Sequence, residues 1–250
     1  MYGGIPMMPQ DQLLLHSFAP DERLPAALPA VAAPMAGRPA RKTLLTRDSL
    51  HIVERNGQAH VIAENYSYKS EAYYTILTRE MSGQPVLPGT RAVLDASVVP
   101  ICLERARLEG IPAAECIISQ SCLSGPAVVY GLNYFACSSQ FELAVDSRAK
   151  EVEKHVTNNG KYPFCYQPLP EDGRVEQHVA IFGRTFSGGE DIAALAGKVY
   201  AIFRIPLAGL IFITTDESTV LSSLCPVRYS QLSPAEKGLL RAYIAGQEFL

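Results

Sequence analysis

"HVIAENYSYKSEAYYTILTREMSGQPVLPG", residues 60–89, is the stretch that decides the fold. His60 to Glu64 is short, apolar and carries β-branched residues, which suits a strand. Ser70 then supplies an N-cap, because its hydroxyl can accept a hydrogen bond from an unpaired backbone N–H of a first helical turn. Tyr73, Ile76, Leu77 and Met81 follow at helical spacing, and Gly83 stops the run, since glycine adopts the left-handed backbone common at helix ends. "PVLPG", residues 85–89, returns as an extended segment. Strand, loop, helix and strand within about thirty residues is the size of a βαβ unit.

The rest of the chain extends this pattern. "VVPICLERARLEGIP" (98–112) predicts a helix ended by Gly110, and "AECIISQSCL" (114–123) a strand. "AVVYGLNYFACSS" (127–139) fits a buried strand or a helix, which periodicity does not separate for an apolar run of that length. "DSRAKEVEKHVTNNG" (146–160) predicts a solvated helix ending in a turn, and "KYPFCYQPLPEDGR" (161–174) a proline-broken loop. "VEQHVAIFGRT" (175–185) is expected as a strand leading to Gly183. A helix over 189–205 follows, with Ile192, Leu195, Val199, Ile202 and Phe203 on its apolar face. Residues 208–229 predict two strands joined near Asp216 to Ser218. A last helix from Pro234 to about Phe249 is announced by Ser233 as N-cap, Pro234 at the first position and Glu236 completing a capping box. The class is therefore α+β: a single mixed domain over 43–250, with a βαβ unit near its start and a C-terminal strand–helix–hairpin–helix.

Composition narrows the function. The chain has 250 residues, 48% hydrophobic and 19% charged, enough for a full core. Its net charge of −3 lacks the long-range attraction that drives phosphate-backbone binding, so no nucleic-acid partner is expected. The longest apolar runs fall far short of the roughly 20 residues a bilayer-spanning helix needs, so no membrane partner is expected either. Residues 1–42 contain prolines at 6, 9, 20, 25, 29, 34 and 39 and predict a Pro/Ala-rich disordered arm. They have no secretory signal pattern, and the cysteines 102, 116, 122, 137, 165 and 225 lack zinc-site spacing. A cytoplasmic protein with reduced thiols and no metal or cofactor is the expectation.

Candidate sites are few. "FSGGED" (186–191) places two glycines before a helix N-terminus, as an anion site or as loop punctuation, with Arg184 just ahead of it. Cysteine nucleophiles would need a histidine base, and His51, His60, His155 and His178 are the choices, but sequence does not pair them; no catalytic residue is assigned. Tyr66 and Tyr68 lie after a strand, where open α/β sheets bind ligands, so ligand contact and packing both stand open. Tyr73 and Tyr74 belong to the helix.

"YSYKSEAYYTILTREMSGQPVLP" (66–88) resembles the signature of the RimK-like ATP-grasp N-terminal domain family. "VAIFGRT" (179–185), "IAALAGKVYAIFRIPLAGLIF" (192–212) and "LSPAEKGLLRAYIAGQ" (232–247) follow that family's order of elements. The likeness covers about Glu64 to Ala96 and Val179 to Gly246. It departs at Ala63 and Glu64, where Cys-Arg is expected, and at Ala72, where glycine is expected. The resemblance implies an α+β domain usually fused ahead of an ATP-grasp ligase, which activates a carboxylate as an acyl phosphate and forms an amide. A chain ending at Leu250 leaves no length for such a module, so an accessory role with a separate RimK-like ligase is expected, with a small peptide or amino acid as substrate. Tyr66, Tyr68, Gly183 and Arg184 are the matching substrate-binding positions.

Overall fold

The computed structural model describes residues 45–121, 123, 125–132, 141–145 and 148–246; the arm expected over 1–42 lies outside the described residues. The first layer is a hairpin and the βαβ unit built on it. Strand β1 (His51–Arg55) turns through Asn56 and Gly57, both at positive φ (51° and 75°), into β2 (Gln58–Ile62). Helix α1 (Glu71–Met81) starts where Ser70 Oγ accepts from the Tyr73 N–H at 3.2 Å, and it leads into β3 (Val86–Leu87), parallel to β2. Ala72 and Ile76 of α1 pack with Val61 and Val86 beneath them.

Two further helices follow, α2 (Thr90–Ser97) and α3 (Val99–Leu108), of which only the second is expected from sequence. Helix α2 has Gly89 as N-cap and therefore no side-chain cap of its own. The Glu80 carboxylate of α1 supplies it, accepting from the Thr90 N–H at 2.9 Å and from the Thr90 hydroxyl. A carboxylate there also suits the positive end of the helix dipole.

Strands β4 (Ile117–Ser119), β5 (Ala127–Gly131), β6 (Glu142–Ala144) and β7 (Phe164–Pro168) form an antiparallel sheet in the order β4–β7–β5–β6. The run 127–139 is thus a strand as far as Gly131, and 133–139 lie outside the described residues. Residues 164–168, expected as loop, are instead an interior strand. Pro163 and Pro168 stand at its ends, and the Phe-Cys-Tyr-Gln between them is buried. Helix α4 (Ala149–Val156) covers this sheet with Val152 and Val156, then ends in Asn158, Asn159 and Gly160, all at positive φ.

The third sheet runs β11–β10–β8–β9, from β8 (Arg174–Ile181), β9 (Arg184–Thr185), β10 (Leu207–Thr214) and β11 (Thr219–Cys225). Helix α5 (Glu190–Phe203) lies between β9 and β10, and α6 (Pro234–Ile244) closes the domain with the Ser233–Glu236 capping box. The main core gathers α2, α3 and α5 against β8, β10 and β11 and against the inner face of β5 and β7. Leu103, Phe203, Leu210 and Phe212 are almost wholly buried there, each contributing roughly 1.5–3 kcal/mol by leaving water. The α+β class, with its βαβ start and strand–helix–hairpin–helix finish, is what the molecule shows. No helix among the described residues is long and apolar enough to cross a membrane.

Candidate functional site

Of the four positions singled out by sequence, Tyr66 is a packing residue. Its ring is buried with Ala63, Ala72 and Ile76, and its hydroxyl accepts from the Ala63 N–H at 3.0 Å while donating to Val61 O at 3.2 Å. Burial pushes that hydroxyl far above the usual tyrosine range. Tyr68 is half-buried in the same loop, with the Lys69 ammonium 5.5 Å from its ring centroid. Gly183 and Arg184 lie at the turn between β8 and β9.

That turn has an uncommon backbone. Ile181 pairs with Arg184, which leaves Phe182 and Gly183 as the two central residues of a tight hairpin, with φ of 50° and 75°. Two positive φ values define the turn whose twist matches antiparallel strands, and the first position normally takes asparagine, aspartate or glycine. A phenylalanine there costs about 1–2 kcal/mol of backbone strain. Gly183 cannot carry a side chain at all, because a Cβ would stand 2.7 Å from Tyr200 Cβ.

The ring of Phe182 explains why the strain persists. It stacks on Tyr243 with centroids 3.9 Å apart and 34° between planes, meets Tyr200 edge-on at 6.0 Å, and lies 6.3 Å from His60. Aromatic pairs of this kind contribute roughly 0.5–1.5 kcal/mol each beyond area burial. Guanidinium groups flank the rings. Arg55 lies 3.8 Å over Tyr243 and donates from Nη2 to the Tyr243 carbonyl at 2.8 Å, and Arg204 lies 5.6 Å from the centre of Tyr200. Arg204 is itself left-handed, at φ 54°. Arg184 is exposed and sits opposite Ile181, a residue of the small core beneath this corner. His60 completes it, hydrogen-bonded through Nδ1 to the Tyr243 hydroxyl at 2.7 Å. Its pKa is lowered by burial first and by Arg55 second, with Glu54 opposing.

A second polar cluster lies between the two four-stranded sheets. The Ser223 hydroxyl donates to Tyr130 Oη (2.9 Å) and Tyr130 to Ser222 Oγ (2.6 Å). Ser222 in turn donates to Gln167 Oε1 (2.6 Å), and Gln167 Nε2 donates back to the Ser222 carbonyl (2.9 Å). A bulge makes this possible: the register steps from Ile211↔Ser223 to Phe212↔Leu221, so Ser222 is the extra residue of β11. All four side chains are inaccessible and mutually satisfied.

The remaining candidates are accounted for locally. Gly188 ahead of α5 has no space for a Cβ, which would stand 2.8 Å from Ile192 Cβ, so the first glycine of "FSGGED" has a packing reason, whereas a Cβ at Gly189 would meet nothing. Each described histidine is hydrogen-bonded away from cysteine: His51 to Ser49, His60 to Tyr243, His155 to Glu142, and His178 to Ser187 and Glu176. Two surface grooves, of about 660 and 650 Å³, flank α4 and contain none of the four sequence-derived positions. Among the described residues no three His, Cys, Asp or Glu side chains gather to hold a metal ion.

No protein-family model matches the chain, and no curated protein matches it in sequence. Solved structures do. D-alanine–D-alanine ligase from Helicobacter pylori matches at TM-score 0.51 and 11% identity, over 70% of this chain and 65% of that one. A RimK domain ATP-grasp protein from Sphaerobacter thermophilus matches at 0.49 and 16%, over 71% and 75%, and the ATP-grasp ligase PsnB, complexed with minimal precursor, at 0.48 and 12%, over 71% and 69%. Over the matched part the chain thus shares its fold with that D-alanine–D-alanine ligase.

Proposed function

We propose that this chain is an accessory, substrate-recognition protein of the RimK-like ATP-grasp N-terminal type, acting with a separate RimK-like ATP-grasp amide ligase in peptide metabolism. The corner around Phe182 holds the small peptide or amino acid. The observation that carries this reading is the strained Phe182–Gly183 turn, since left-handed residues other than glycine cluster at ligand clamps and persist only where the surroundings over-determine them. The half-buried rings of Phe182 and Tyr200, with the guanidinium groups of Arg55 and Arg204 on the aromatic cluster, suit a carboxylate-bearing ligand with an apolar side chain. The likeness in fold to D-alanine–D-alanine ligase and the matching sequence blocks support amide formation as the reaction class.

The test is capture of partners on the intact chain from its native cells, followed by an assay of ATP-dependent amide formation with and without the chain. The expected result is a rate that falls about tenfold, or about 1.4 kcal/mol, when the chain is removed. Wild type restores it, and Phe182→Asn, which keeps the turn but loses the ring, does not. A captured ligase indifferent to the chain, or no ATP-dependent amide formation at all, overturns the proposal.

A further inference from the structure

Cys116 stands one residue ahead of β4, and Cys165 is the second residue of β7. The register Ile117↔Tyr166 and Ile118↔Cys165 sets Cys116 and Cys165 diagonally across an antiparallel pair and on one face of it, because residues two apart share a face. That face is the core side: Cys165 belongs to the main core, and half-buried Cys116 packs against it. Neither is in a disulfide.

The register leaves the two side chains as diagonal neighbours on that face, both against the main core. The neighbouring Cys165 thiol holds Cys116 below the usual cysteine range, with burial opposing and Arg107 acting in the same direction as Cys165. Arg107 is fixed in place by its Nη2 donating to the Ala114 carbonyl. The other described thiols differ: burial pushes Cys102 up to about 12 and Cys225 up to about 11.

We propose that Cys116 and Cys165 form a peroxide-sensitive dithiol that closes into a cross-strand disulfide between the lead-in of β4 and strand β7. The Cys116 thiolate attacks one oxygen of hydrogen peroxide, the O–O bond breaks, and the departing hydroxide takes a proton to become water. Cys165 sulfur then attacks the Cys116 sulfenic acid, forming the S–S bond and releasing a second water as its own proton goes to the leaving hydroxyl. Two thiols lose two hydrogens and two electrons in all, and one peroxide is reduced to two waters. Closure draws the sulfurs to about 2.05 Å. The movement falls on Cys116, which lies ahead of a three-residue edge strand rather than inside a ladder. The same lead-in already bonds to β11, with the Ala114 N–H donating to Leu221 O at 2.9 Å and the Leu221 N–H to Pro112 O at 2.8 Å. The disulfide would therefore lock a segment that bridges the two four-stranded sheets.

The test treats the folded, full-length chain with hydrogen peroxide, alkylates the residual thiols and maps the digest by mass spectrometry. The expected product is a linked peptide pair joining Cys116 to Cys165, lighter than the two thiol peptides by two hydrogens, with Cys102 and Cys225 alkylated. Cys116 should be consumed at least about tenfold faster than Cys102, the ratio that a single pKa unit already gives. Cys165→Ser should stop at a Cys116 sulfenic acid that dimedone traps, and Cys116→Ser, at a half-buried position, should give neither product. Wild type with no Cys116–Cys165 link, a Cys116 linked instead to another cysteine, or a Cys116 consumed no faster than Cys102 overturns the proposal.

Discussion

Tyr130 and Tyr243 each bring a phenol to a polar neighbour, yet their surroundings differ throughout. Tyr130 is sealed between two sheets, where every donor has an acceptor and the backbone departs from regularity only at the Ser222 bulge. Tyr243 sits under a left-handed phenylalanine and a guanidinium, with half-buried His60 on its hydroxyl. The first arrangement minimises free energy: an unsatisfied group in a dry interior is costly, and a closed donor chain leaves none. The second keeps strain that a glycine or asparagine would relieve, and rims it with charge. The closed network ties the two sheets together, whereas the strained aromatic corner is held by contacts between segments far apart in the chain.

Substitutions can break this contrast. The largest expected effect is at the corner's hinge. Gly183→Val must place a side chain at φ 75° and against Tyr200, so strain and overpacking together should cost about 2–5 kcal/mol, read as a fall in the urea midpoint at constant slope. A neutral result would mean that the corner yields easily and stores no strain.

The inter-sheet network comes next. Gln167→Leu keeps the volume but leaves the Ser222 hydroxyl and carbonyl without their partner, for about 1–3 kcal/mol. Equal stability in the variant would show that the network is not what holds the sheets.

The smallest effect is titration at the corner. The folded-state pKa of His60 lies below the unfolded value of about 6.5, so the unfolded chain takes up that proton first. The contribution of His60 is thus present above about pH 6.5 and is lost as pH falls from there through the folded value. His60→Gln can still bond the Tyr243 hydroxyl but does not titrate. Its urea midpoint should decline less than that of wild type between about pH 7 and 5. Parallel profiles would place the acid sensitivity elsewhere, His51 being the other described histidine shifted downward.

Much of the fold was legible in local signals. Ser70, Gly83, Gly110 and the Ser233–Pro234–Glu236 box are caps whose partners lie within a few residues, and each marks a helix end in the structure. Helix α2 was missed because its cap comes from Glu80, ten residues away on another helix. Strand β7 was missed because its prolines were weighed above the buried run between them. Strand β1 had a signal that could have found it, the Asn56–Gly57 pair, which accepts two positive φ values in a hairpin.

The site was less legible. Sequence pointed to Gly183 and Arg184, and the structure puts both at the strained turn. It gave no hint that Phe182, Tyr200, Tyr243, His60 and Arg55 meet there, since they come from the β8–β9 turn, α5, α6 and the first hairpin. Tyr66 and Tyr68 looked equivalent as a pair, but only the fold shows the hydroxyl of Tyr66 turned back onto its own strand. By itself the sequence determined what short-range chemistry can encode: caps, periodicities, the βαβ start and the α+β class. Tertiary structure alone decided which polar groups were sealed and which were left at a rim, because burial and strain depend on contacts between segments far apart in the chain.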